Sequence, residues 1–250
     1  MLFLTVALLT KTTVVSYGYT PDDNPKTELL KVDSVYRRAQ NNFEQYVHRL
    51  YDDLNDESLQ YELLAEGLTG YLNLKKSGQV RRPDILTLID FSKPSNETRF
   101  YIVDLCQRKI VHKSLVAHGR NSGSLYAKYF SNETNSHQSS LGFYVTGSTY
   151  SGKYDLALRL EGKEHSNSRA MSRGVVMHAA KYATKEFLQK NGGVLGRSYG
   201  CPALPTEKFA QVVDWIKEGT VMYIYYPSHS YKRYSRYLNK HQYLEDFIRA

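Results

Sequence analysis

At Arg82-Pro83 the hydrophobic pattern of this 250-residue chain changes period, and each half is bound to a different kind of element. Before that point Leu29, Val32, Tyr36, Ala39, Phe43, Tyr46, Leu50 and Leu54 recur at steps of three and four, which predicts one helix over about 29–54. Leu59, Leu63, Leu64, Leu68 and Leu72 predict a second over about 58–74, with Gly67 and Gly70 weakening its end. Beyond Pro83 the apolar runs are short and β-rich: Ile85 to Ile89, Phe100 to Val103, Ile110 to Val116, Leu141 to Thr146, Leu156 to Leu160, Val175 to Met177 and Val221 to Tyr226. Ser92-Lys93-Pro94-Ser95-Asn96 is a turn signal, and Asp104 to Lys109 reads as a hairpin turn with Cys106 near its tip. A single helix interrupts the strands, with Pro205 near its start, Phe209, Val212, Val213 and Ile216 on its buried face, and Gly219 as its stop.

The expected organisation is a helical segment over 19–81, a mainly β domain over 82–228 and a tail over 229–250. In the tail, Tyr and Leu at near-helical spacing among Lys and Arg predict a basic amphipathic helix. Packing on the domain is the plain reading of it, and adhesion to an anionic surface the sharper one. Residues 1–18 read as a leader for export: Met1 to Leu9 is apolar but too short to span a bilayer, and small residues follow at Ser16 and Gly18. A buried first strand or helix is the alternative.

The net charge of +8 favours an anionic partner: a nucleic acid, a membrane surface or an acidic wall polymer. With 22 Tyr among the basic residues, base stacking is conceivable, but none of the common nucleic-acid-binding signatures is present. Two cysteines, Cys106 and Cys201, are enough for one disulfide in an exported protein. Their settings differ, however. Cys106 sits in a polar turn, whereas Cys201 ends the loop Gly196-Arg197-Ser198-Tyr199-Gly200-Cys201 and precedes Pro202. A cysteine behind glycine in a tight loop is surrounded by backbone N–H groups that can stabilise a thiolate, and then the oxyanion of a tetrahedral intermediate. Its nearest upstream base is His178, at the end of the β-rich run Gly174-Val175-Val176-Met177. With eight His and two Cys, such a pairing is only moderately specific by itself.

The ordered set of segments is more specific. Met177-His178-Ala179 followed by Gly196-Arg197-Ser198-Tyr199-Gly200-Cys201-Pro202-Ala203 resembles the murein L,D-transpeptidase catalytic domain. The resemblance extends upstream to Asp90 to Ser95, Val116 to Gly123 and Gln138 to Gly147, and ends at Ile224-Tyr225-Tyr226-Pro227. It is similar to the branch in which an aromatic or apolar residue, here Tyr199, replaces the usual histidine two positions before the nucleophile. The resemblance implies a β-sandwich with one helix after the nucleophile, and a bacterial enzyme of the periplasm or cell surface that acts on peptidoglycan stem peptides. Cys201 would attack the diaminopimelate–D-alanine bond with His178 as base, and the backbone amides of Tyr199, Gly200 and Cys201 would form the oxyanion hole. An amine would then accept the acyl group in a 3→3 cross-link, or water in a hydrolysis. No metal or organic cofactor is implied, and no nucleic-acid partner.

Two positions depart from the family pattern. Ala179 stands where Gly or Ser is usual, and Ala203 where many members carry Arg or Asn. Arg197 is the candidate to supply the missing cation by gripping a substrate carboxylate, with loop stabilisation as its plain alternative. Ser198 is a further candidate contact. His118 is a candidate cleft residue or a hydrogen-bonded strand histidine, and the loop from Gly162 to Arg173, with His165, a lid or a plain loop. A murein hydrolase on the same scaffold and an inactive wall-binding module are the rival functions.

Overall fold

Helix α1 (Pro25–Leu54) and helix α2 (Tyr61–Lys76) form where the 3.6-residue period predicts them. The computed structural model describes residues 25–152 and 155–248, so the leader-like stretch 1–18 lies outside the described residues. From α1, Ala39, Phe43, Val47, Leu50 and Leu54 are buried, and from α2, Leu63, Leu64, Leu68, Tyr71 and Leu74. Each such side chain contributes roughly 1.5–3 kcal/mol when taken fully out of water. Gly67 and Gly70 do not end α2. They are its contact face: a Cβ at Gly70 would lie 1.9 Å from the ring of Phe143, and one at Gly67 2.5 Å from Leu88. Only glycine lets this helix lie so close to the strands beneath, and the two helices share one continuous core with them.

Those strands are β1 (Ile85–Asp90), β2 (Phe100–Asp104), β3 (Lys109–Ser114), β4 (Gly142–Gly152), β5 (Asp155–Gly162), β6 (Val176–Ala179), β7 (Ala203–Leu204) and β8 (Val221–Tyr225). They form one eight-stranded sheet in the order β3-β2-β1-β8-β4-β5-β6-β7. β1 and β8 pair in parallel and are buried on both faces, as their unbroken apolar runs require. The sheet curls until its ends meet. Just past β3, at one end of the order, Ala117 pairs antiparallel with Ala203 of β7, at the other, through bonds of 2.8 and 3.3 Å, and Gly119 bridges to Ser198. The result is barrel-like, with the mainly β character expected. It also explains why the apolar run beyond Ser114 does not continue β3: Leu115 to Ala117 leave that ladder to close the sheet.

The helix after the nucleophile is α4 (Phe209–Ile216), preceded by the short α3 (Lys185–Lys190). It buries the four predicted residues but begins four positions after Pro205, because Ala203 and Leu204 are engaged in β7. The tail is not one amphipathic helix. Ser228 caps a six-residue helix, α5 (His229–Tyr234), and Ser235 ends it. The chain then turns into a 3-10 segment, Gln242–Phe247, that packs on α1 and α2. Buried Tyr231, Tyr237, Tyr243 and Leu244 anchor it, and Asn73 donates to the carbonyls of Tyr237 (2.8 Å) and Lys240 (2.9 Å). Polar anchors spaced along the tail break the periodicity that predicted a single helix, and packing is the reading that holds.

Candidate active site

The parallel pairing of β6 with β7 sets His178 opposite Ala203. Two residues back on each chain, the amide of Val176 donates to Cys201 Sγ at 3.4 Å. Cys201 lies two residues before β7, and its sulfur is thereby tied to β6, the strand that carries His178. Both cysteines are free, Cys106 exposed in the β2–β3 turn and Cys201 half-buried.

His178 is buried, and its Nδ1–H donates to the carbonyl of Ala179 at 2.9 Å. That bond selects the tautomer in which Nε2 carries the lone pair of a base. Burial pushes the His178 pKa below its ordinary value, so the imidazole is neutral at neutral pH. Burial pushes the Cys201 thiol up, while the Val176 amide, the Arg173 charge and the residue's own amide pull it down. Burial thus favours the uncharged form of both groups.

The loop 196–202 is built by Ser198. Its backbone N–H donates to His118 O (3.0 Å), and its carbonyl accepts from the Arg120 amide (2.7 Å). Its Oγ accepts from the Gly200 amide at 3.0 Å and donates to the Cys201 carbonyl at 2.6 Å. Ser198 is therefore spent on shaping the turn, not presented to a ligand. The Gly200 amide, expected in the oxyanion hole, is held by this serine, and the sulfur is reached by an amide of β6, that of Val176, as well as by its own. Tyr199 is 60 % exposed, its ring 4.5 Å from that of His137 and under the guanidinium of Arg120.

His118 is not a cleft residue. It is 1 % exposed, receives a bond from Arg99 on Nδ1 (2.9 Å) and donates from Nε2 to Gly123 O (3.3 Å). Burial and the nearby Arg99 press its pKa to about 3, which keeps it neutral. Arg197 is exposed, donates to Gly123 O at 3.3 Å, and with Arg120 and Tyr199 lines a cavity of about 460 Å³ beside the nucleophile loop. Ala203 is wholly buried among Leu115, Ala117 and Leu195, where no arginine fits.

A cation whose charge acts on the thiol is one the motif reading passed over. Arg173 donates to Ser131 O (2.9 Å) and Ser140 Oγ (2.5 Å) from Nη1, and to Ser136 Oγ (3.1 Å) and Gln138 O (2.7 Å) from Nη2. Its fork lies against Gly200, where a Cβ would stand 3.4 Å from Nη2. The signal available was its place three residues before the strand that carries the base. The segment around it is no lid: Glu164, Asn167 and Ala170 are buried, and the Ala170 carbonyl accepts from Val175. Among the described residues no group of three or more His, Cys, Asp or Glu side chains is placed to hold a metal ion.

Comparisons with known proteins return L,D-transpeptidases. Structural matches include an L,D-transpeptidase from Mycobacterium tuberculosis H37Rv (18% identity, TM-score 0.38, covering 57% of this chain and 58% of that one). Others are an L,D-transpeptidase from Mycobacterium smegmatis (13%, 0.37, covering 57% and 59%) and one from Stackebrandtia nassauensis (10%, 0.35, covering 72% and 76%). The chain thus spans about three-fifths of the two mycobacterial structures. No match was found among curated protein sequences. A sequence model of the L,D-transpeptidase catalytic domain matches residues 55–225, from the end of α1 through β8, and the chain belongs to that family.

Proposed function

We propose that this protein is a cysteine acyltransferase of bacterial peptidoglycan, working outside the cytoplasm, with Cys201 as nucleophile and His178 as base. The observation that supports the reading is the bond from the Val176 amide to Cys201 Sγ, which ties the thiol to the strand carrying His178, a buried imidazole whose Nδ1–H is held by the Ala179 carbonyl. In the proposed reaction Sγ attacks the carbonyl carbon of the diaminopimelate–D-alanine bond while its proton passes to His178 Nε2. The amides of Tyr199 and Cys201 stabilise the oxyanion, since Ser198 holds that of Gly200. Collapse of the intermediate breaks the C–N bond, and D-alanine leaves with the proton from the imidazolium. An acceptor amine, or water, then gives a proton to His178 and attacks the thioester, which releases Cys201. Arg120 and Arg197, on the cavity next to Tyr199, suit a stem-peptide carboxylate.

Mass spectrometry of stem peptides incubated with the wild type, Cys201→Ala and Cys106→Ser tests this. Release of D-alanine by the wild type and Cys106→Ser but not by Cys201→Ala is expected, with cross-linked or shortened products identifying the acceptor. Turnover surviving in Cys201→Ala, or lost in Cys106→Ser, overturns the assignment.

A further inference from the structure

A larger cavity, of about 650 Å³, does not contain the thiol. It lies across the 131–140 loop from Cys201. Ser131 and Gln138 line it, and their carbonyls accept from the same Arg173 fork that lies against Gly200 on the other side.

The chemistry of its walls is selective. Phe130 and Tyr226 meet with ring centroids 4.9 Å apart, and Tyr129 and Tyr234 stand at the surface 63 % and 76 % exposed. Large exposed aromatic rings beside a cavity are a recurring mark of a binding surface. Ser228 and Ser230, whose hydroxyls pair with each other at 2.9 Å, also line this cavity. Its two carboxylates are engaged within the protein. Buried Glu164 accepts from Tyr231 (2.6 Å), Ser235 (2.5 Å) and the Phe143 amide (3.0 Å), and Glu133 is paired with Arg169 at 2.5 Å. In a chain of net charge +8, this groove has a single lysine, Lys128, in its lining. A nucleic acid would need a row of cations for its phosphates. Flat aromatic faces with neutral hydroxyls and amides fit instead a neutral polyol whose rings present C–H faces and whose edges present hydroxyls.

We propose that this groove binds the glycan strand of the wall polymer, holding the sugar backbone while a stem peptide reaches over the 131–140 loop to Cys201. The choice of polymer rests on the acyltransfer reading above. The chemistry of the groove does not.

The test uses fluorescently labelled glycan strands stripped of stem peptides, titrated by anisotropy against the full chain. The wild type and Cys201→Ala should bind alike. Tyr129→Ala combined with Tyr234→Ala should weaken binding by about four- to a hundredfold, each aromatic platform being worth roughly two- to tenfold. Tyr234→Trp should retain it, and the melting temperature should not move for side chains this exposed. No binding of stripped glycan by the wild type, undiminished binding by the double variant, or equal competition by a short DNA strand overturns the proposal. If glycan binds but stem peptides are not turned over, the acyltransfer reading falls and the groove stands; the reverse result removes the groove alone.

Discussion

Gly200→Ala asks how closely the nucleophile loop is fitted to its surroundings. The backbone of Gly200 has φ +119°, a region that costs a residue with a Cβ roughly 1–3 kcal/mol. The methyl would also stand 2.8 Å from Gln138 O. That oxygen cannot retreat freely, because Arg173 Nη2 holds it at 2.7 Å and Ser139 Oγ donates to the Gly200 carbonyl at 3.2 Å. Gly78→Ala is the matched control, with φ +70° but no atom within 4 Å of the added methyl. It should carry only the backbone cost. A total near 3 kcal/mol for Gly200→Ala lowers the melting temperature by about 6–12 °C at this chain length, against about 2–4 °C for the control. The activity loss should exceed what unfolding explains, since displacing a nucleophile by about 1 Å costs on the order of a hundredfold. Thermal unfolding by circular dichroism and D-alanine release, both at 25 °C or below for the rate, measure the two effects. Gly200→Ala melting with the control and releasing D-alanine at the wild-type rate would refute the reasoning.

Three further outcomes are expected. His178→Ala should slow acylation at least about a hundredfold, and in the wild type the acid limb of the rate should fall below the ordinary histidine value near 6.5, because burial lowers the His178 pKa; an unchanged rate removes the base. Arg173→Gln should raise the thiol pKa of Cys201, seen as slower iodoacetamide labelling at neutral pH, since the guanidinium favours the thiolate; an identical labelling profile would deny Arg173 that role. His118, at about 3 when folded, binds fewer protons than in the unfolded chain between that value and about 6.5, so stability should decline as pH falls through this window, by up to about 1.4 kcal/mol per unit. His118→Gln should flatten that slope in unfolding measured from pH 6.5 to 4, and an unaltered slope would contradict the assignment.

Local periodicity made the elements legible in the sequence, and local motifs pointed to the thiol. Ala39, Phe43, Leu50 and Leu54 marked α1, and Val212, Val213 and Ile216 marked α4, because burial against one neighbour leaves a one-sided pattern. The tail misled because its buried positions, Tyr231, Tyr237 and Tyr243, are held by turns and by Asn73, not by one helical face. Gly67 and Gly70 looked like helix breakers since their reason, the ring of Phe143 and the side chain of Leu88, lies in strands distant in the chain. The site divides in the same way. Cys201 and its glycine were local signals. The occupation of the Gly200 amide by Ser198, the burial of His118 under Arg99, and the reach of Arg173 to Gly200 depend on side-chain directions that no spacing encodes.

The closing bridge between Ala117 and Ala203 ties two fates together. A sheet whose end strands find each other offers few unpaired N–H and C=O groups to another chain. Because that bridge flanks the loop that holds Cys201, loosening it would open an adhesive edge at the moment it disarranges the nucleophile. Variants that damage this seam should therefore be lost from the soluble fraction before their weakened catalysis can be measured, so that solubility and activity in this region are two readings of one set of hydrogen bonds.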